Sequence, residues 1–403
     1  MNRQPFLILG ALILLTACGQ QPTLVISNKE DYPVYGKRII VDASEVTGLS
    51  TTYFKLSYGG NELPVQFDDL DNDGTWDEVV FELDFAENEA ITLTISPSEI
   101  VPDYPQQTNV YLGVSPERND QFGEVEAAKR PKSHVAQSTP YLYQYEGPGW
   151  ESELVAFRSY FDSRNGKDIF GKTTPQLYVS KIGLGDNYHE LSDWGMDVLK
   201  VGNSLGSGAL AILKNDSLYR LGETDQAEFK AITEGPVRAI MELKYTGWDV
   251  AGISYDLTET IEIWAGKRSF TSRIVLTGGS ELDTLVTGIV DLKKVEQAEL
   301  EATGFQVMYT HGKQSENEDV LGMGILVKDS NWLGFDQAPE SGEGVTNTYT
   351  ALLKSSNDLY TFHFFAGWEL EHADFASKEK FQEALVKEAD CLNANVSVLF
   401  NIK

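Results

Sequence analysis

Cysteine is nearly missing from this chain. Two occur among 403 residues, Cys18 and Cys391. If Cys18 is modified, no pair is left for an internal disulfide, and stability must come from a packed core. Basic side chains are also scarce, with Lys and Arg totalling 32 against 61 Asp and Glu, for a formal net charge of −29. No basic field is available to displace counterions from phosphates, which argues against nucleic acid. The same charge disfavours docking on an anionic membrane surface. No stretch after the first 20 residues is apolar enough to span a bilayer. Neither H-x-H, HExxH nor a paired CxxC is present, so a catalytic zinc site is not indicated. The glycine-rich run Gly202–Gly208 lacks the Lys and the following helix of a phosphate loop and reads as a turn.

A targeting signal stands at the start. Arg3 supplies a short positive region, Phe6 to Leu15 an apolar one, and Leu15-Thr16-Ala17-Cys18 matches a bacterial lipobox. Residues 1–18 are therefore expected to be a lipoprotein signal peptide that leaves Cys18 as the lipidated N-terminus. The membrane is then met through that anchor alone. The expected location is the periplasm or outer membrane of a Gram-negative cell envelope.

From Leu24 onward the dominant period is two, broken by Gly, Asn and Asp turns. Leu24 to Ile26, Arg38 to Val41, Val79 to Phe85 and Ile91 to Ile95 predict a small antiparallel sandwich over residues 19–101. Pro102 to Gln107 reads as a linker, and residues 108–403 as one large β-sandwich. Val237–Tyr245, Tyr255–Trp264 and Phe270–Leu276 alternate over lengths that suit an extended sandwich. Helix is scarce. The spacing of Phe381, Leu385, Val386 and Ala389 predicts one short C-terminal helix over Ser377–Leu392, followed by a closing strand. The fold class is all-β.

Three stretches carry chemistry. Residues 147–172 crowd Trp150, Arg158, Tyr160, Arg164 and Lys172 into an otherwise acidic chain. A guanidinium binds a planar carboxylate through two parallel hydrogen bonds, and Trp150 beside Gly147-Pro148-Gly149 suits an aromatic platform for a sugar ring. The competing reading is that these cations neutralise nearby carboxylates. Asp69-Leu70-Asp71-Asn72-Asp73-Gly74-Thr75-Trp76-Asp77 has the alternating carboxylates of a calcium turn. Asp69, Asp71, Asp73 and Asp77 would hold a structural ion, or else form a metal-free acidic turn. Of the five histidines, His134 precedes the cationic stretch and His189 sits in Tyr188-His189-Glu190, where imidazole and phenol offer proton transfer near neutral pH. His363, in Phe362-His363-Phe364-Phe365, reads as part of a buried strand.

The residues Asp68–Phe81, the stretch from Gly147-Pro148-Gly149-Trp150 to Lys172, and Gly235-Pro236-Val237-Arg238-Ala239 together resemble a family of exported Bacteroidota proteins. These carry an uncharacterised domain, are frequent in polysaccharide-utilisation loci, and include the ulvan oligosaccharide dehydratases. The resemblance covers nearly the whole mature chain. It implies a large sandwich like those of galactose mutarotases, and elimination of water from the non-reducing-end uronate of an anionic oligosaccharide to give a 4,5-unsaturated sugar. In that reading Arg158 and Arg164, assisted by Lys172, clamp the carboxylate. Trp150 and Tyr160 contact the sugar, and His134, His189 and Tyr188 supply acid and base. No cofactor is required for such chemistry. A polysaccharide lyase would use the same groups but expel a sugar, and a non-catalytic glycan-binding lipoprotein would keep the clamp without the histidines.

Overall fold

The computed structural model describes residues 21–49, 51–131, 134, 141–185, 187–279 and 283–401. Residues 1–18, expected as a signal peptide ending at Cys18, lie outside the described residues. Two sandwiches are present, and all their strand ladders are antiparallel. The small one packs a five-stranded sheet on a three-stranded sheet. Alternation decides which residues enter its core. Leu24 and Ile26 from the first strand meet Phe54, Leu56, Ile91 and Leu93 of the same sheet, and Ile39, Val41, Val79 and Phe81 of the facing one.

The large sandwich is built on a nine-stranded sheet. Its centre holds the long strands Arg238–Val250, Ile253–Trp264 and Ser269–Gly278. Two five-stranded sheets share its main core, one containing Val155–Ser159 and Lys167–Lys172, the other Ala211–Lys214 and Thr284–Val290. The helix Lys378–Asn393 starts on the Ser377 cap and buries Phe381, Leu385 and Ala389 against Phe305, Val307 and Phe365. The all-β class and the single C-terminal helix are therefore as expected.

The domain limits need one correction. The final strand, Val396–Asn401, does not close the large sandwich but pairs along the whole of Thr23–Asn28 in the small one. Its Val396, Val398 and Phe400 pack on the small core, so hydrophobic alternation is satisfied there and not at 108–395.

The sandwiches meet through buried ion pairs. Arg238 gives its Nε to Asp68 at 2.7 Å and its Nη2 to Glu78 at 2.5 Å. Gln66 accepts from the Val237 backbone at 2.9 Å and donates to the Arg238 carbonyl at 2.9 Å. A Cβ at Gly235 would sit 2.7 Å from the Gln66 Oε1, so a side chain there would displace the Gln66 amide from these bonds. Two of the three sequence motifs are thus one joint. Arg38 also reaches Glu388 of the helix at 2.6 Å.

Candidate active site

The strands Gly149–Ser152, Val155–Ser159 and Lys167–Lys172 are buried along their full length. A charged side chain on such a strand must carry its counter-ion with it. Each does. Lys172 gives its ammonium to Glu151 at 2.5 Å, with no exposure at either side chain. Lys167 pairs with Glu259 at 2.6 Å. Arg158 lies opposite Asp168 across the ladder and bonds its Oδ2 through Nη2 at 2.7 Å.

This placement corrects two expectations. Trp150 is wholly buried, stacked on Phe157 and edge-on to Phe270, and offers no platform to a sugar. Lys172 is buried in its pair with Glu151 and does not line the cleft described below. Size and flatness drew Trp150 into the core, as they do for most large aromatics.

A cleft of about 660 Å³ opens where the end of this sheet meets the loop 187–190 and the strand Ser217–Arg220. Arg158, Tyr160, Arg164, Tyr188 and His189 all line it, with Asp197, Glu146, Lys200 and Arg220. Glu146 lines one wall, on a turn it shares with the buried Tyr145. Both adopt left-handed backbone, with φ of 37° and 72°, a conformation that costs such residues on the order of 1–3 kcal/mol and clusters at functional sites. The turn presents the Tyr145 carbonyl to Arg158 Nη1 at 3.1 Å and the Glu146 carboxylate to Arg164 at 2.8 Å.

Arg158 is the hub. Besides Asp168, its Nη2 donates to Asp197 at 2.8 Å and to the Tyr160 hydroxyl at 2.9 Å. Its Nη1 donates to the Tyr188 hydroxyl at 3.4 Å. Burial, with Asp197 close by, raises the Asp168 carboxyl well above the usual range despite the guanidinium. Burial likewise raises the Tyr160 and Tyr188 phenols, and Arg158 pulls both partly back. Arg164 grips Asp162 with Nε and Nη2, at 3.0 and 2.5 Å to one oxygen, and lies 4.1 Å over the Tyr160 ring.

His189 holds its Nδ1 3.3 Å from Asp197. That hydrogen bond raises its pKa above the ordinary histidine value, against an opposing effect of burial. Its ring centroid is 4.3 Å from that of Tyr188. A phenol held by a guanidinium and an imidazole held by a carboxylate therefore stand side by side on one wall.

His134 is not among the residues lining the cleft. Its ring packs edge-on to Tyr143 with its centroid 5.2 Å away, and burial lowers its pKa. The acid/base assignment to His134 is corrected accordingly. His363 is buried on its strand with Nδ1 2.9 Å from Thr271, and burial pushes it down to about 3.

At the acidic turn, oxygens of Asp69, Asp71 and Asp77 lie within 4.8 Å of one another, a set able to hold a hard cation. Asp73 falls outside that group; its Oδ1 accepts from the Thr75 backbone at 2.8 Å. Asp69 in turn accepts from the backbone of Asp73 and Gly74 at 3.0 and 2.8 Å, so the turn closes on itself through its own amides.

Sequence reasoning missed Asp168, Asp197 and Arg220. Asp168 was in plain view inside the 147–172 stretch, where alternation places it on the same strand as Lys167 and opposite Arg158. Asp197 and Arg220 arrive from distant strands, and nothing local marks them.

Among solved structures, the chain is similar to an α-mannosidase from Enterococcus faecalis V583, with a TM-score of 0.47 and 10% identity over 94% of this chain and 46% of that one. A second E. faecalis structure, a protein in glycosyl hydrolase family 38, gives 0.46 and 9% over 94% and 47%. The chain spans a little under half the length of each. Among curated sequences it is 22% identical over 418 residues, 97% of each chain, to "Uncharacterized protein P7" of Formosa agariphila. One match runs from the first strand of the small sandwich to the strand beside it at the far end of the chain, and so takes in the joint and the cleft together. It is with the domain of unknown function DUF4861, over residues 26–398, and the chain belongs to that family.

Proposed function

We propose that the cleft removes water from the non-reducing-end uronate of an anionic, ulvan-type oligosaccharide and leaves a 4,5-unsaturated uronate. The observation that carries this reading is the Tyr188–His189 pair, held by Arg158 and Asp197. In the reaction the Nε2 of His189 takes the C5 proton. The C5–H electron pair becomes the C4=C5 bond, the C4–O bond breaks, and the Tyr188 hydroxyl donates its proton to O4 as water departs. The Arg158 guanidinium beside Tyr188 stabilises the phenolate left behind, until a proton returns from His189 through solvent. A raised phenol pKa keeps Tyr188 protonated and ready to donate.

Hydrolysis by paired carboxylates fits less well. A glycosidase of that kind needs two carboxyl groups facing the bond. Here Asp168 and Asp197 are held by Arg158, and Asp162 and Glu146 by Arg164. Glu316 pairs with Lys293 at 3.0 Å.

Incubation with ulvan-derived oligosaccharides should produce the absorbance of an unsaturated uronate, with the loss of one water and no chain cleavage by mass spectrometry. A shortened chain with an unsaturated end would instead identify a lyase. No new absorbance with any uronate-containing glycan overturns both. The proposed setting is the cell envelope, with the protein anchored by lipid on Cys18. Cys18→Ser should then move it from the membrane fraction to the soluble one. Among the described residues no helix is long and apolar enough to cross a membrane.

A further inference from the structure

Arg220 closes the strand Ser217–Arg220 and lines the cleft. Its guanidinium rests in a recess that Gly166 leaves open. A Cβ there would meet Arg220 Nη2 at 2.9 Å and the Tyr160 ring at 3.0 Å. Its Nε and Nη2 are shielded from water and meet no hydrogen-bond acceptor. Those two nitrogens form the edge that grips a carboxylate with parallel bonds. At two other arginines the same edge is filled. Arg268 takes both oxygens of Glu371 at 2.6 and 2.7 Å, and Arg164 takes Asp162.

An arginine stays charged in a protein, so this edge is a shielded cationic donor left without its acceptor. Such a group is strongly unfavourable unless something else supplies the oxygens. Its surroundings make matters worse, since burial first and the neighbouring Arg164 guanidinium second lower its pKa to about 10. The carboxylates of Asp162 and Glu146 bond Arg164 instead, and the pull of Asp162 on Arg220 only partly offsets burial and Arg164.

We infer that Arg220 is the carboxylate receptor of the cleft, its Nε–Nη2 edge taking both oxygens of the sugar acid. This rests on the reading of the cleft as a uronate site and moves the clamp away from the two arginines that the sequence singled out. Arg158 and Arg164 enter the cleft with their charges balanced by protein carboxylates, and Arg220 brings the uncommitted edge. Neutralising the carboxylate there acidifies the C5 proton that His189 takes. Because the two nitrogens are shielded until an acceptor arrives, binding includes a side-chain shift at the cleft wall.

Titration calorimetry on the full mature chain tests this with three probes. They are a glucuronate-terminated disaccharide, the same disaccharide with its carboxyl reduced to an alcohol, and inorganic sulfate. Wild type should prefer the charged disaccharide, and Arg220→Gln should erase that preference with a roughly ten- to hundredfold weaker affinity for the acid. Arg220→Lys, which keeps the charge but loses the fork, should fall between. Both variants should unfold at or above the wild-type temperature, since the recess loses an unpaired donor edge. Retention of the preference in Arg220→Gln overturns the assignment while leaving the uronate reading intact. Sulfate binding as tight as that of the acid disaccharide, and lost in Arg220→Gln, overturns the carboxylate in favour of a sulfate ester. Binding of neither disaccharide by wild type sinks the uronate reading itself, and the receptor assignment with it.

Discussion

Arg238 and Arg220 sit on strands of the same large sandwich, yet the joint and the cleft use them in opposite ways. At the joint Arg238 is fully buried and both Nε and Nη2 find carboxylates, Asp68 and Glu78. In the cleft the same two atoms of Arg220 find none. A guanidinium whose fork is closed by the protein holds the protein together. One whose fork is left open is unfavourable for folding and has a use only when a ligand arrives. Charge alone does not separate the two roles, but the fate of that edge does.

The sharpest way to break the contrast is to remove the proton-transfer groups and show that only chemistry suffers. Tyr188→Phe and His189→Ala should each lower kcat/KM by about 10²–10⁴, with unfolding temperature nearly unchanged. Steady-state absorbance assays with parallel thermal melts check this. A full-rate variant at either position removes that residue from the mechanism. Next is the joint, where Arg238→Met leaves Asp68 and Glu78 without their cation and should cost about 3–5 kcal/mol in urea unfolding, with the rate per folded molecule preserved. A large fall in that rate would show that the joint and the cleft are coupled.

A pH series sharpens the cleft side. His189 must be neutral to act as base, and its hydrogen bond to Asp197 raises its pKa above the usual value. Activity should therefore be lost as pH falls through that raised value. Asp197→Asn removes the stabilisation of the imidazolium, so the acid limb of kcat/KM should move to lower pH while the maximum drops. A limb that stays in place assigns it to another group. The smallest expected effect lies in the small sandwich. Calcium at the Asp69, Asp71 and Asp77 turn should raise the unfolding temperature by a few degrees over chelator, and Asp71→Asn should abolish the difference. No shift in wild type excludes a stabilising ion there.

Much of the fold was legible because period-two patterns on long strands leave few alternatives. Tyr255–Trp264 was expected and Ile253–Trp264 is found. Ser377–Leu392 was expected as helix and Lys378–Asn393 is found, with Ser377 as its cap. Which of the candidate side chains would line the cleft was only half legible, and for a physical reason. The 147–172 stretch looked cationic because Arg and Lys stand out in an acidic chain. Yet its strands are buried on every residue, so Lys167, Lys172 and Arg158 each carry a carboxylate within 2.7 Å. Two of those partners, Glu151 and Asp168, belong to the stretch itself. Trp150 failed as a platform for the same cause, since no residue of its strand reaches the surface. Arg220 could not have been found, because its distinction is the acceptor it lacks in three dimensions.

The pairing of Thr23–Asn28 with Val396–Asn401 sets an order of events for the chain's birth. Thr23–Asn28 leaves the ribosome long before its partner strand, Val396–Asn401, is made. At about 5–20 residues per second, that interval runs to tens of seconds, during which Thr23–Asn28 can join Ala90–Ser98 but keeps one edge bare. A chain with this architecture gains from a partner that shields the unfinished sheet until its last strand arrives. A truncation that removes only the last eight residues would unseat the opposite end of the sequence.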